Sequence, residues 1–324
     1  MKIGVLGAGG IATVVAPTLC EMNEIECYAV ASRSLEKAEA FAKKFGFTKA
    51  YGSYEEMLSD SNVELVYITT IHSLHFEHAK LALEHGKPVI CEKPFTVNER
   101  ELKKLFDIAK EKNLFITEAI WTRYMPMRKT IDDVIASGII GDPITLTANL
   151  GYPVANVERL ARNDLAGGSL LDIGVYPINF ALMHFGGDIY KITSDAVITD
   201  KNVDSQSTII FKYTRGRMAT LTNTMSAASD RKGIIWGTEG YMISENINNC
   251  QGIKVYDKNH NEIASYDTPK QISGYEYQFL AAVKAINEGK LECEEMPHEE
   301  SLKVMNIMDY IRNSWRLIYP NDKD

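Results

Sequence analysis

The amino-acid sequence predicts an α/β fold in which an N-terminal, doubly wound parallel sheet is followed by an α+β domain with a large open, mostly antiparallel sheet. Short apolar strand patterns alternate with helical patterns over the first third of the chain, and a glycine-rich turn follows the first strand. After Trp121, strand patterns dominate. Because 324 residues exceed what one hydrophobic core usually fills, we expect two domains, 1–119 and 120–324.

Five runs rich in β-branched and apolar residues predict the strands of the first domain. They are Ile3 to Leu6, Cys27 to Ala31, Val63 to Thr69, Val89 to Cys91 and Phe115 to Thr117. Helical patterns fill the intervals between these strands. Ser34 and Gly46 bound one predicted helix, and Ser53 and Asn98 are spaced as the N-caps of two more. The regular alternation of strand and helix predicts that the strands run parallel.

The second domain differs, because its strand patterns follow one another with few helices between them. Six strands are predicted at Ile144 to Gly151, Tyr190 to Thr199, Ser207 to Tyr213, Met218 to Met225, Ile234 to Trp236 and Ile253 to Tyr256. Arg215-Gly216 predicts a hairpin turn between two of them. Helices are predicted at Pro126 to Ser137, Tyr275 to Asn287 and Glu299 to Trp315.

Composition and charge argue against several classes of protein. The 35 basic and 43 acidic residues give a net charge of −8 without a long basic run, which disfavours nucleic-acid binding. We find no apolar stretch near the roughly 20 residues that span a bilayer and no room for a signal peptide before Ile3, so we expect a cytoplasmic protein without membrane attachment. Five scattered cysteines without a C-x-x-C pair fit reduced thiols. We predict no metal site, because no carboxylate or thiol pattern completes one around His72, His75, His78 and His85.

The turn after the first strand is the first candidate functional site. Gly7-Ala8-Gly9-Gly10-Ile11-Ala12 fits the pattern G-x-G-x-x-A of turns that bind a dinucleotide. In that pattern the first glycine makes a tight turn, the second admits the pyrophosphate, and the small final residue allows close helix packing. The phosphates then lie at the N-terminus of the helix that Gly10 and Ile11 begin. The alternative is a glycine-rich turn without a ligand, but a strand before the motif and a helix after it favour the dinucleotide.

The end of the second strand bears on which dinucleotide is bound. Enzymes that prefer NAD hold the ribose 2′-hydroxyl there with Asp or Glu, whereas this chain has Ser32-Arg33-Ser34. A guanidinium and hydroxyl groups can donate hydrogen bonds to the additional phosphate of NADP. We therefore predict NADP as the cofactor, with NAD as the alternative. In a purely structural interpretation, Ser34 caps the next helix and Arg33 is solvated.

Glu92-Lys93-Pro94 follows the apolar run that ends at Cys91. Ligands of an open parallel sheet lie beyond the carboxyl ends of its strands. Lys93 would therefore face the reactive half of a bound dinucleotide, and we place Glu92 among the cofactor-binding residues. A surface lysine is the structural alternative.

Hydride chemistry at a carbinol carbon also needs a group that moves a proton on the oxygen. Asp172 and Tyr176 are four residues apart and would share one face of a helix. An ammonium such as that of Lys93 favours the phenolate form of a nearby tyrosine. Pro177 implies that the helix either begins near Ile173 or bends there. Taken alone, Tyr176 fits a core tyrosine and Asp172 a helix cap.

These motifs resemble those of the Gfo/Idh/MocA oxidoreductase family. The runs Glu118-Ala119-Ile120-Trp121-Thr122-Arg123 and Leu171-Asp172-Ile173-Gly174-Val175-Tyr176 resemble its dihydrodiol dehydrogenase branch, and the resemblance covers essentially the whole chain. It implies a Rossmann domain that binds NADP(H) and an α+β domain whose open sheet commonly forms a dimer face. We therefore expect a homodimer or a higher homo-oligomer. The resemblance also implies oxidation of cyclic diols or of sugars, such as a trans-dihydrodiol or the aldose xylose.

The resemblance implies roles for single residues. Lys93 matches the lysine of the family's E-K-P motif, Asp172 the acidic residue of its D-x-G-x-H/Y motif, and Tyr176 the acid-base residue that ends that motif. His75 and Thr70 match positions near the nicotinamide ribose.

Two further features concern the cleft. Ile71 and His72 depart from the family's Pro-Asn, which leaves the cofactor contacts of that loop open. Trp121 and Arg123 would line the cleft that binds cofactor and substrate, with an anchoring core tryptophan as the alternative.

The leading hypothesis is an NADP-dependent oxidoreductase. Lys93 would orient the reacting oxygen, Tyr176 would relay its proton, and Asp172 would position both. A non-catalytic, NADP-sensing regulatory protein on the same fold is one alternative. An enzyme that recycles tightly held NADP is another. The sequence does not identify the substrate.

Overall fold

The computed structural model describes residues 1–323, which divide into two compact units. Unit 1 comprises Met1–Tyr124 and Gln271–Leu302, and unit 2 comprises Met125–Lys270 and the residues from Lys303 onward. The division into functional domains 1–119 and 120–324 stays a prediction. The helices are α1 (Gly10–Glu21), α2 (Leu35–Phe45), α3 (Tyr54–Ser59), α4 (His75–Glu84), α5 (Glu99–Lys112), α6 (Pro126–Ala136), α7 (Val175–Phe185), α8 (Glu276–Asn287) and α9 (His298–Ser314).

Unit 1 contains a six-stranded parallel sheet. Its strands are β1 (Lys2–Leu6), β2 (Glu26–Ala31), β3 (Lys49–Tyr51), β4 (Leu65–Ile68), β5 (Val89–Glu92) and β6 (Ile116–Ala119), in the spatial order β3-β2-β1-β4-β5-β6. Every neighbouring pair is parallel, so the predicted doubly wound sheet is confirmed. The strand order reverses between β1 and β4, and ligands bind beyond the carboxyl ends of the strands at such a point.

The predicted caps set the helix boundaries in unit 1. Ser34 accepts a hydrogen bond from the Lys37 N–H at the start of α2, and Gly46 ends that helix with a φ of 81°. Ser53 and Asn98 cap α3 and α5 in the same way. The short strand β3 was not predicted, because its three residues are partly exposed and too few to show a periodicity.

Residues 271–302 pack in unit 1 although they lie late in the chain. Phe279 of α8 makes an edge-on contact with Tyr67 of β4, with ring centroids 5.0 Å apart. The Ile116 N–H donates to the Leu291 carbonyl, so this segment satisfies the start of β6. The periodicity of α8 predicts a helix but carries no information about which core the helix joins.

Unit 2 contains an eight-stranded sheet. Its strands are β7 (Pro143–Gly151), β8 (Ile189–Ile198), β9 (Asp204–Tyr213), β10 (Met218–Thr224), β11 (Gly233–Gly237), β12 (Gly240–Ser244), β13 (Gly252–Asp257) and β14 (Glu262–Asp267), in the order β14-β13-β12-β11-β7-β10-β9-β8. Only β7 and β10 pair in parallel, so the large, mostly antiparallel sheet is confirmed. The predicted hairpin turn at Gly216 joins β9 to β10. Strands β12 and β14 were not predicted; β14 is largely exposed and shows no alternation.

One face of this sheet is covered by α7. The side chains of Ile209, Phe211 and Tyr213 are buried and alternate with less buried neighbours, as expected of a sheet with one covered face. Helix α7 packs so close to the sheet that a Cβ on Gly233 would lie 2.4 Å from the Phe180 ring. Glycine is therefore required at this crossing.

Residues 163–185 form the one helical stretch of the described chain that is long and apolar enough to cross a membrane by length and composition. The expectation that no stretch approaches this length is thus corrected. Of its apolar window, 89% is buried within the protein. The core helix of a globular protein has the same properties, so this stretch is weak support for a membrane span.

Candidate functional site

The glycine-rich turn joins β1 to α1. Gly7 has a φ of 112°, and a Cβ there would lie 2.9 Å from Thr69 Oγ1, so backbone conformation and close approach both require glycine. Gly9 is the N-cap of α1, and a Cβ on Gly10 would meet no atom within 4 Å. The first turn of α1 has no acidic residue, so its N–H groups and dipole favour an anion. Together with the buried Ala12, this turn fits the pyrophosphate of a dinucleotide.

Ser32, Arg33 and Ser34 follow the carboxyl end of β2. The Ser34 hydroxyl caps α2, as the structural interpretation of this run requires. Ser32 is buried and Arg33 is exposed. Capping by Ser34 therefore leaves open a role for Ser32 and Arg33 in holding the cofactor, which stays a prediction.

Thr70, His75 and His78 follow the carboxyl end of β4. His75 is fully buried; its Nδ1 lies 2.7 Å from the Pro94 carbonyl oxygen and its Nε2 3.1 Å from that of Thr70. Burial lowers the pKa of His75 to about 3, so the ring is neutral at pH 7. The Thr70 hydroxyl lies 2.9 Å from His78 Nδ1. The predicted contacts of Thr70 and His75 with the nicotinamide ribose stay predictions.

Lys93 follows the carboxyl end of β5, and its peptide bond to Pro94 is cis. The preceding Glu92 is buried and accepts a hydrogen bond from the Tyr67 hydroxyl. Burial, followed by the Glu92 charge, raises the pKa of Tyr67 well above its ordinary value, so the phenol remains a donor. Because β1, β4 and β5 are parallel neighbours, Lys93 lies on the same edge of the sheet as the glycine-rich turn.

Glu118, at the end of β6, is a buried carboxyl group that sequence analysis included only in a family motif. Its Oε1 accepts from the Phe95 N–H at 3.2 Å, and its Oε2 accepts from the Ser301 hydroxyl at 3.2 Å. Burial raises the pKa of Glu118 to about 7.

Trp121 and Arg123 form a 3₁₀ turn just after β6. The Trp121 ring stacks on Tyr275, with centroids 3.9 Å apart and an interplanar angle of 11°. Arg123 is 2% exposed and its guanidinium lies 3.0 Å from the Glu300 carboxylate. Neither partner could be inferred from local sequence, because both lie more than 150 residues away along the chain. The predicted substrate contacts of Trp121 and Arg123 stay predictions.

Asp172 and Tyr176 lie at a junction of two helix types in unit 2. Residues Leu170–Gly174 form a π-helical turn, and α7 begins at Val175. Pro177 therefore stands in the first turn of α7, where its missing N–H is tolerated. The α-helical phase used to predict a shared face does not apply across this junction.

The Asp172 carboxylate is paired with Arg159, whose Nη2 lies 3.3 Å from Oδ1. Sequence analysis missed Arg159, because it lies 13 residues before Asp172 in a 3₁₀ turn (Glu158–Ala161) that is too short to show a periodicity. Lys93 belongs to unit 1 and the pair Asp172 and Tyr176 to unit 2, and their convergence on one substrate stays a prediction.

Residues 1–323 contain no group of three or more His, Cys, Asp and Glu side chains that could hold a metal ion. The predicted absence of a metal site stays a prediction.

Comparisons with known proteins identify the family to which the chain belongs. The family model "Oxidoreductase family, NAD-binding Rossmann fold" matches residues 1–119, and the model "GFO/IDH/MocA C-terminal domain" matches residues 129–243. Trans-1,2-dihydrobenzene-1,2-diol dehydrogenase of Xenopus tropicalis is 31% identical over 98% of this chain and 99% of its own. The enzyme of the same name from Homo sapiens is 32% identical over 100% and 99%. The crystal structure of a 3-ketoreductase from Actinomadura kijaniata in complex with NADP and TDP-benzene is 25% identical, covers 97% of each chain and has a TM-score of 0.89.

Proposed function

The chain belongs to the Gfo/Idh/MocA family of oxidoreductases and is a dehydrogenase acting on CH–OH groups, and from this premise we propose a narrower function. The protein is an NADP-dependent dehydrogenase that transfers hydride between the nicotinamide and a secondary alcohol or carbonyl of a cyclic diol or a sugar. The relatives named as dihydrodiol dehydrogenases support a diol substrate. The similar ketoreductase in complex with NADP supports the coenzyme.

One observation carries the proposal within unit 1. The glycine-rich turn, Thr70 and Lys93 follow the carboxyl ends of three adjacent parallel strands, β1, β4 and β5. A phosphate-binding turn and an ammonium thus share the edge at which a dinucleotide binds in this sheet order. Ser32 and Arg33, at the end of the next strand β2, provide donors and no carboxylate, which supports NADP over NAD.

The protein's side chains handle the proton and the charge on oxygen. Bound NADP supplies the hydride acceptor or donor. The Lys93 ammonium donates a hydrogen bond to the reacting oxygen and stabilises negative charge there. Tyr176 takes the proton of the alcohol or returns it to the carbonyl. Asp172, whose carboxylate is oriented by Arg159, positions the lysine and the phenol.

The direct test is an absorbance screen at the nicotinamide band. The chain is mixed with trans-dihydrodiols, aldoses and ketoses in turn, each with NADP and with NAD. We expect turnover with at least one cyclic diol or sugar and faster turnover with NADP. Tight NADP binding without turnover of any substrate would instead support a regulatory protein.

Two variants test the assigned roles. Lys93→Met should lower kcat by a factor of about 100 or more and leave the Kd for NADPH within about twofold. Tyr176→Phe deletes one hydroxyl, and we expect a similar loss of kcat. Lys103→Met, which changes an exposed lysine of α5, is the matched control and should retain full activity. Unchanged turnover in Lys93→Met would remove that lysine from the mechanism.

The setting of the enzyme is part of the same proposal. We expect a cytoplasmic homodimer or higher homo-oligomer, with no nucleic-acid or membrane partner. Light scattering combined with size-exclusion chromatography measures the oligomeric state, and a monomer at micromolar concentration would contradict this part.

A further inference from the structure

The peptide group after Pro94 is held at both of its polar atoms. The Pro94 carbonyl oxygen accepts from Nδ1 of His75, 2.7 Å away on α4. The Phe95 N–H donates to Oε1 of Glu118, 3.2 Å away at the end of β6. A peptide unit is planar and rigid. Bonds to its oxygen and its hydrogen from two different elements therefore fix the orientation of the whole plane.

This plane lies one residue beyond Lys93. On the other side of the lysine, Glu92 is held by the Tyr67 hydroxyl. Phe95 itself is fully buried and contacts the Phe106 ring, with centroids 5.5 Å apart. The backbone that carries Lys93 is thus anchored both before and after the lysine.

Burial of the Glu118 carboxyl group costs free energy. A buried carboxylate loses its hydration, and the residue is only 2% exposed. Its two oxygens accept from the Phe95 N–H and from the Ser301 hydroxyl. Both carboxylate oxygens thus bind protein groups, one in the loop of Lys93 and one in the first turn of α9, as expected of a side chain that holds two elements together.

We propose that Glu118 is a positioning residue that fixes Lys93 through the Phe95 N–H. The inference rests on the proposed catalytic role of Lys93. Because a misplacement of about 1 Å at a reacting group can cost about 100-fold in rate, loss of this bond slows the reaction without removing any group that contacts substrate or coenzyme.

Three variants separate positioning from charge. Glu118→Ala removes the acceptor, and we expect kcat to fall at least about tenfold while the Kd for NADPH stays within about threefold. Glu118→Gln keeps a carbonyl oxygen for the Phe95 N–H, and its NH₂ can donate to Ser301 Oγ, so kcat should return to within about threefold of the parent chain. If Glu118→Ala does not fold, Glu118→Asp replaces it, because the carboxylate is then drawn back from Phe95 with its charge retained.

Glu101 provides the matched control. It is also buried and also accepts from a backbone N–H, that of Val97, but this bond lies four residues beyond Lys93. Glu101→Ala should lower the Tm by an amount similar to that of Glu118→Ala and leave kcat unchanged.

Amide hydrogen exchange tests the bond between Glu118 and the Phe95 N–H without any turnover. Peptides covering residues 93–97 should exchange faster in Glu118→Ala than in the parent chain, and at the parent rate in Glu118→Gln. If the parent chain turns over no substrate, the proposed function fails. The exchange measurement still shows whether Glu118 holds the backbone beyond Lys93. If Glu118→Gln and Glu118→Ala lose kcat equally and the pH dependence of kcat shifts, the proposal is overturned, because the charge of Glu118 and not its hydrogen bond then matters. Parent-like kcat and exchange in Glu118→Ala would overturn it outright.

Discussion

The substitution Arg33→Ala tests coenzyme preference at one side chain. Arg33 is exposed just beyond β2, between the buried Ser32 and the N-cap Ser34. His78 lies close enough for the Arg33 cation to affect its titration, but burial is the larger cause and the pKa of His78 is lowered to about 4. His78 is therefore uncharged near pH 7 and cannot replace the guanidinium.

The expected loss follows from one charge-assisted contact. A hydrogen bond to a charged group contributes about 1.5–3 kcal/mol, and each 1.4 kcal/mol is a factor of ten in Kd. We expect the Kd for NADPH to rise about 10- to 100-fold, toward the lower end because Arg33 is exposed and salt screens the pair. The Kd for NADH should change less than about twofold. Both Kd values are measured by nicotinamide fluorescence titration. The ratio of the two should be constant from pH 7 to 8, because His78 does not titrate there and the 2′-phosphate, with a second pKa of about 6, is already largely ionised.

The control removes an equal charge from the opposite end of α2. Lys43 is exposed near the end of α2, and Lys43→Ala should leave both affinities unchanged. Ser32→Asp places a carboxylate where NAD-dependent enzymes carry one and should shift the preference toward NADH. Equal weakening of NADPH and NADH in Arg33→Ala would refute the assignment of this guanidinium to the 2′-phosphate.

Three further substitutions test the glycine-rich turn, a helix cap and a buried carboxyl group. Gly7→Ala places a Cβ 2.9 Å from Thr69 Oγ1 at a φ of 112°, so we expect the free energy of unfolding to fall by about 1–3 kcal/mol and both coenzymes to bind at least about tenfold more weakly. Gly46→Ala, where a Cβ meets no atom within 4 Å, should cost about 1 kcal/mol and leave coenzyme binding unchanged, as calorimetry and titration can verify. Burial raises the pKa of Asp204 from its ordinary 3.8 to about 7, so between these values the folded chain holds a proton that the unfolded chain has lost. The contribution of Asp204 to stability therefore falls as pH rises from about 4 to about 7 and is constant above that. The side chain of Asp204→Asn cannot titrate. The free energy of unfolding of this variant, measured by urea titration, should therefore rise relative to that of the parent by up to about 4 kcal/mol between pH 4 and 8. The same dependence of stability on pH in both chains would contradict the raised pKa.

The fold of unit 1 was predictable because parallel strands are buried on both faces. Four of its strands, including β1 and β5, consist of buried residues almost throughout and so appear as apolar runs between capped helices. Strand β14 could not be predicted, because its residues are mostly exposed and its partner β13 supplies the reason for its extended conformation. Membership of residues 271–302 in unit 1 was beyond reach for a similar reason. It depends on contacts such as Phe279 with Tyr67, which no local pattern encodes.

The same distinction between local pattern and distant contact applies to the residues of the candidate site. The glycine-rich turn and Lys93 were found because each stands at a fixed distance from a strand end, where local pattern implies position. Arg159 and Glu118 were not singled out. The pairing of Arg159 with Asp172 and the bond of Glu118 to Phe95 join different loops and strands, so their significance exists only in the folded chain.

Asp60 and the glycine-rich turn, both in unit 1, differ in how their polar groups are satisfied. Asp60, in the loop before β4, accepts from the hydroxyls of Tyr28 and Tyr51 and from the Lys49 ammonium, and these last two partners hold its pKa well below the ordinary range. The oxygens of this carboxylate accept hydrogen bonds from neighbouring groups of the same chain, as expected of a group with a structural role. The glycine-rich turn has the opposite construction. The first turn of α1 presents N–H groups with no acidic side chain in that turn to accept from them, and a Cβ on Gly10 would meet no atom within 4 Å. Water can satisfy such N–H groups, but an anion at this end of α1 also interacts favourably with the helix dipole, which fits the pyrophosphate of the dinucleotide.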